Sequence, residues 1–312
     1  MVNHPRMTAL IAGVALSIGA MNAGQFKSGV QMVPLTVTVT NRAGHPLSGL
    51  TQAQFTILED GRAQTLSYFS AIDSPVDVAL LLDTSSSMTR DLPLAQEAAC
   101  GLARRLKPGD RAAVAGITEY MFEAQRMTSD LDRVEKAIRS IHPSGATAIY
   151  ESVYILLREF ERGTRVTSSL RRQAIVLLSD GLDNASHIEF DDLLDSVRRG
   201  DVVIYVILLD RELKLGLSSP ESRYAVQAGF AMRTLARESG GRIFTPQSGA
   251  ELTGIYDSIA YELKNQYVLG YVPARQDSDG TFRRIAVHVK HPEVSQARTR
   301  GGYYAVAQRA SR

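Results

Sequence analysis

The chain has 312 residues, with 35 Lys+Arg against 33 Asp+Glu, one cysteine and no tryptophan. At roughly 100–200 residues per domain the length predicts two domains, and a 44% hydrophobic, 22% charged composition excludes wholesale disorder. A net charge of +2, with Arg pairs scattered at 104–105, 171–172, 198–199 and 283–284, gives no footprint for nucleic acid, and one cysteine excludes an internal disulfide and a cysteine zinc site.

Met1–Arg6 is short and weakly basic, and Met7–Met21 (MTALIAGVALSIGAM) is almost wholly apolar. That run is too short for a spanning helix of ~20 residues. It predicts a secretory signal peptide over 1–23, cleaved after Ala20 or Ala23, with a buried N-terminal helix as the alternative. Cys100 lies far downstream, so no lipid-anchor cysteine follows the leader. No second long apolar run exists, so no transmembrane span is expected. The expected location is therefore periplasmic or extracellular.

Residues 33–74 predict a β segment. Pro34–Asn41 alternates and is rich in β-branched residues, and Phe55–Glu59 and Gln64–Phe69 follow, with Asp60-Gly61 supplying a tight turn. The pattern changes at Val76. Val76–Leu82 (VDVALLL), Arg111–Ile117, Gln173–Leu178 and Val202–Leu208 read as buried strands, with a shorter one at Arg242–Thr245. Helical spacing appears in Leu94, Ala98, Leu102 and Leu106, then in Leu131, Val134, Ile138 and Ile141, then in Ile149, Val153, Leu156, Leu157 and Phe160. Further helices are expected around Leu193–Val197, over Tyr224–Ser239 and from Leu252, the last opened by a capping box at Ser248–Glu251. The period returns to two in Gln266–Val272, Phe282–Lys290 and Arg298–Val306.

The fold class is thus α/β: a doubly wound, mostly parallel sheet over 75–265. The β segments 33–74 and 266–307 are each marginal alone, so they are expected to pair as a small β-sandwich around it. Two separate β appendages are the alternative.

In a doubly wound sheet, ligands bind beyond the C-terminal strand ends. There the chain presents Asp83-Thr84-Ser85-Ser86-Ser87, then Ser144-Gly145-Ala146-Thr147, then Ser179-Asp180-Gly181. Two carboxylates and three hydroxyls are hard oxygen donors, suited to Mg²⁺ or Mn²⁺. The bland alternative makes Asp83 and its serines a helix N-cap. A phosphotransfer aspartate lacks its usual second acid and Lys, and no Gly-x-Ser-x-Gly elbow or phosphate loop appears.

Asp83-x-Ser85-x-Ser87, Thr147 and Asp180-Gly181 resemble the metal-ion-dependent adhesion site (MIDAS) of von Willebrand factor type A domains. The resemblance covers about Val76–Lys264 and implies a Rossmann-like domain. Gly49–Phe69 and the segments QYVLGYVPA, GTFRRIAVHVK and RTRGGYYA extend it to bacterial exported proteins related to that family. It implies a metal contacted by Ser85, Ser87 and Thr147, with Asp83 and Asp180 acting directly or through water. A further position is left for an Asp or Glu of a protein partner. Two residues depart from the common pattern. Ser86 stands where Gly is frequent, at a cost of about 1 kcal/mol if φ must be positive, and Ser179 stands where Thr is frequent.

The expected function is metal-dependent protein binding of the adhesion type, without catalysis. A metal-dependent hydrolase or transferase, and a scaffold with a vestigial site, are the alternatives. Asp183-Asn184 reads as a turn, with trimming of the metal geometry or fixing of the loop as the alternatives. Cys100, His288-x-x-His291 and Tyr267, Tyr271, Tyr303 and Tyr304 read as packing or surface.

Overall fold

Two hydrophobic periods, two residues and then 3.6, divide the computed structural model, which describes residues 32–71, 74–166, 171–209 and 220–305. The expected leader over 1–23 lies outside them. The two-residue period at the start forms β1 (Val33–Thr40), β2 (Phe55–Glu59), β3 (Arg62–Gln64) and β4 (Leu66–Ala71). Asp60 and Gly61 turn between β2 and β3 with φ of 47° and 79°, the doubly positive pair a tight hairpin needs.

The central sheet contains β5 (Val76–Asp83), β6 (Arg111–Ile117), β7 (Met121–Thr128), β8 (Arg172–Ser179), β9 (Val202–Leu208) and β10 (Ile243–Phe244). Its order is β10-β9-β8-β5-β6-β7, parallel throughout except for β7 against β6. Among the described residues six helices cover it: α1 (Leu92–Ala103), α2 (Leu131–Ser140), α3 (Ile149–Val166), α4 (Phe190–Arg199), α5 (Pro220–Glu238) and α6 (Leu252–Lys264). On β5, Val78, Leu80 and Leu82 join the core under α1, α2 and α6, while Ala79 and Leu81 join the core under α3, α4 and α5. A strand covered on both faces is apolar along its covered length, hence the run Val78–Leu82, while Asp77 near its start is buried by pairing with Arg111 and Arg171. Each fully buried Leu or Val there contributes about 1.5–3 kcal/mol.

After α6 come β11 (Tyr267–Tyr271), β12 (Phe282–Val289), β13 (Gln296–Arg298) and β14 (Gly302–Tyr304). They join β1–β4 in two antiparallel sheets, β13-β1-β11-β4 and β14-β12-β2-β3. Both sheets mix strands from either end of the chain, over a shared core that includes Leu35, Val37, Ile57, Tyr267, Leu269 and Tyr271.

Several expectations are corrected. The strand expected at Gln64–Phe69 is two strands, because the chain changes sheets at Thr65: β3 pairs with β2 and β4 with β11. Likewise Arg298–Val306 is broken where the chain leaves β13, paired with β1, for β14, paired with β12. β7 has no counterpart in the sequence reading: MFEAQRMT is a half-exposed edge strand without a clean alternation. Leu94 is 52% exposed and lies over Gly249, and α1 instead buries Leu92, Ala95, Ala98, Ala99 and Leu102. At the expected capping box, Ser248 makes no side-chain cap and precedes a 3-10 turn, Gly249–Glu251, while Glu251 accepts the Gln247 N–H at 3.3 Å.

The sandwich meets the α/β part at the N-terminal edge of the central sheet, where β5 begins and α6 ends. Arg172 at the start of β8 donates to the Leu263 and Ser74 carbonyls. Thr36 donates to Asp201 just before β9 at 3.3 Å, and Gln266 donates to Thr38 and to Tyr205. This attachment leaves the opposite, C-terminal edge uncovered by the sandwich.

Candidate metal-binding site

Winding from β5 through α1 to β6 runs one way across the sheet, and winding from β8 through α4 to β9 runs the other. The loops after β5 and β8 therefore diverge at the switch point, where a doubly wound sheet opens a crevice. Asp83 ends β5 with no exposure, Ser85 is 6% exposed, and Ser87 and Asp180 are half-buried.

These four residues form one hydrogen-bonded chain. The Ser85 N–H donates to Asp83 Oδ1 at 2.9 Å, Ser85 and Ser87 share a hydroxyl hydrogen bond of 2.8 Å, and Ser87 Oγ donates to Asp180 Oδ2 at 2.6 Å. Asp83 Oδ2 accepts the Ser179 hydroxyl at 2.6 Å, and Ser179 Oγ accepts the Gly181 N–H. Gly181 sits at φ 85°, and a Cβ there would lie 2.7 Å from Leu208, so the turn that aims Asp180 demands glycine.

Thr147, 3% exposed, is placed through its backbone. Its N–H donates to Asn184 Oδ1 at 2.9 Å, and its carbonyl accepts the N–H groups of Asn184 and Ala185. The same loop is tied to the one after β5, since the Ser144 N–H donates to the Thr84 carbonyl at 2.6 Å. The three segments that carry the five residues are thus joined by direct hydrogen bonds.

Of three supporting residues, Ser179 had no role assigned in the sequence, and Asp183-Asn184 read first as a turn. Ser179 orients Asp83, Asn184 fastens the loop after β8 to Thr147, and Asp183 accepts the Tyr150 N–H at the start of α3. Their signal was position alone: each lies within four residues of Asp180 in a loop that follows a strand. Ser86 carries no strain, because Asp60 is the one non-glycine at positive φ among the described residues. The cost attached to that departure does not arise.

Burial pushes the Asp83 carboxyl above its ordinary range; hydrogen bonds from Ser179 and Ser85 oppose the rise, and the Asp180 charge adds to it. Among the described residues no Arg, Lys or His forms an ion pair with Asp83 or Asp180. No group of three or more His, Cys, Asp or Glu is placed to hold a metal among the described residues. A cation here would be held mostly by hydroxyl oxygens beside two acids, a donor set that fits a hard divalent ion.

The chain is similar to several solved structures. One is a von Willebrand factor type A protein from Catenulispora acidiphila, at 14% identity over 90% of this chain and 74% of that one, with a TM-score of 0.48. Another is an aerotolerance-related membrane protein from Bacteroides fragilis, at 19% identity over 60% and 98%, with a TM-score of 0.47. A third is proximal thread matrix protein 1 from the mussel byssus with a zinc-occupied MIDAS motif, at 19% identity over 65% and 50%, with a TM-score of 0.48. No curated protein sequence matches the chain. Residues 78–182 match the family model of the von Willebrand factor type A domain, a span running from β5 to just past Asp180.

Proposed function

We propose that the chain is an exported, metal-dependent protein-binding module of the adhesion type, without catalytic activity. The observation that carries this reading is Asp83: a fully buried carboxylate, joined through Ser85 and Ser87 to a second carboxylate, with no basic side chain paired to either among the described residues. Burying an ionised carboxylate without a counter-charge is costly. A divalent cation supplies that charge. Ser85, Ser87 and Thr147 would hold Mg²⁺ or Mn²⁺ together with Asp83 and Asp180. Because the hydroxyls are neutral, the bound ion retains positive charge and offers it to an Asp or Glu of a partner protein.

Export rests on the apolar Met7–Met21 segment behind a basic start. No helix among the described residues is long and apolar enough to cross a membrane. The absence of catalysis is supported by the site's chemistry. Its serine hydroxyls hydrogen-bond one another and the two carboxylates, and among the described residues no histidine or lysine pairs with those carboxylates to act as an oriented base.

The test is the melting temperature of the purified chain with Mg²⁺ or Mn²⁺ and with chelator. At a hundred times the dissociation constant the ion should add about 2.7 kcal/mol, and Asp83→Ala or Asp180→Ala should remove the gain. An unchanged melting curve in millimolar metal overturns the reading.

A further inference from the structure

A cleft of about 450 Å³ lies at the far edge of the central sheet from the metal site, between the end of α5 and the sandwich strands β12 and β13. Four arginines line it: Arg233, Arg237, Arg242 and Arg298. Glu262, fully buried, engages two of them, with Arg242 at 3.2 Å and Arg298 at 2.6 Å. Arg237 has Glu238 at 3.5 Å, but that carboxylate also receives Arg198 at 3.1 Å. Arg233 is exposed and forms no ion pair among the described residues. The cleft therefore carries more positive charge than its own acids offset.

Its wall is an unfilled strand edge. The Arg284 carbonyl accepts the Asp60 N–H, so the backbone of Arg284 faces β2, and alternation turns Ile285, Val287 and Val289 toward the other edge. There the Ile285 N–H reaches the Gly301 carbonyl, where β14 stops; β14 pairs with β12 along Phe282–Arg284 alone. Among the described residues no strand continues beside Val287 and Val289. Val287 and the small, exposed Ala286 line the cleft. An open edge of this kind is a template for an added strand, and side chains beside it set which strand.

We infer that this edge of β12 binds an extended acidic segment of a partner protein by strand addition, its carboxylates meeting Arg233 and Arg237. The chain's own ends do not match that charge: residues 1–31 and 306–312 contain Arg6, Lys27, Arg309 and Arg312 and no Asp or Glu. The cleft stands apart from the metal-site proposal, and binding there needs no metal.

The experiment uses the full chain in chelator with a fluorescent nonapeptide of alternating Glu and Val as probe, and its Lys–Val counterpart as control. The acidic peptide should bind and the basic one should not. Arg233→Glu with Arg237→Glu should weaken binding at least tenfold, while Asp83→Ala should leave it unchanged. Val287→Pro removes an N–H that faces away from β2, so it should spare the fold and cut binding at least tenfold. In the unaltered protein, exchange of the Val287 amide should slow at least tenfold when the peptide is bound, a readout that does not depend on any variant folding. No binding of the acidic peptide, a requirement for Mg²⁺, or binding that leaves Val287 exchange unchanged would each overturn the inference; the last would reduce it to adsorption by charge.

Discussion

The two edges of the central sheet treat their buried acids in opposite ways. At the N-terminal edge three carboxylates have arginine: Asp77 is paired with Arg111 at 2.6 Å and Arg171 at 2.7 Å, Glu262 with Arg242 and Arg298, and Asp201 with Arg300 at 3.7 Å, while Asp110 accepts the Val76 and Lys107 N–H groups. At the C-terminal edge Asp83 and Asp180 have serine hydroxyls and backbone N–H groups. Arginine settles a charge permanently, and Arg298 and Arg300 also fasten the sandwich to the domain. Hydroxyls leave the charge unsettled, as the proposed cation site requires.

This contrast is open to direct attack. The largest effect should come from Glu262→Ala, which strands Arg298 in the seam; the expected loss is about 3–5 kcal/mol in urea unfolding. Asp77→Asn should cost less, about 2–3 kcal/mol at pH 7. Burial raises the Asp77 carboxyl, but hydrogen bonds and charge from Arg111 and Arg171 outweigh it and leave the carboxyl below its ordinary range. Its contribution is then present above the unfolded value of about 3.9 and lost as pH falls through the lower folded value. The gap between Asp77→Asn and the unaltered chain should accordingly narrow below about pH 4, and a constant gap would break the assignment.

At the other edge the sign should reverse. Asp83→Asn removes an uncompensated charge and keeps one acceptor, so in chelator it should melt at or above the unaltered chain, within about 1–2 kcal/mol. Addition of Mg²⁺ should return the advantage to aspartate. A variant that melts well below the unaltered chain in chelator would show that Asp83 is a structural acid like Asp77. The smallest effect is expected for Tyr304→Phe, which loses the 2.6 Å hydrogen bond to Asp195 on α4. At a partly exposed position that should cost about 0.5–1 kcal/mol in thermal melts.

Much of the fold was legible because burial on two faces and on one face leave different periods. VDVALLL announces a central strand, Leu131–Ile141 an amphipathic helix, and Asp60-Gly61 a hairpin. β7 was not legible, since an edge strand with one partner has no need of apolar alternation. Nor were the breaks at Thr65 and after Arg298, because a strand that changes sheets keeps its local composition. Leu94 obeys the helical period and still faces outward, because the face α1 buries depends on where α2 and α6 lie. The candidate site was legible by residue type, since its acids and hydroxyls follow strands directly. The role of Ser179 was not, and that of Asn184 only as an alternative to a turn, because support roles are defined by what they touch.

The amino-acid pattern alone determined the alternation of strands and helices, the existence of the flanking strands and the oxygen-rich loops after β5 and β8, since each depends on neighbours within a few residues. Only the tertiary structure decided which acids meet arginine and which meet serine. Asp77 meets Arg171 across 94 residues and Ser87 meets Asp180 across 93. Charge compensation is a property of distance in space, and no local period encodes it.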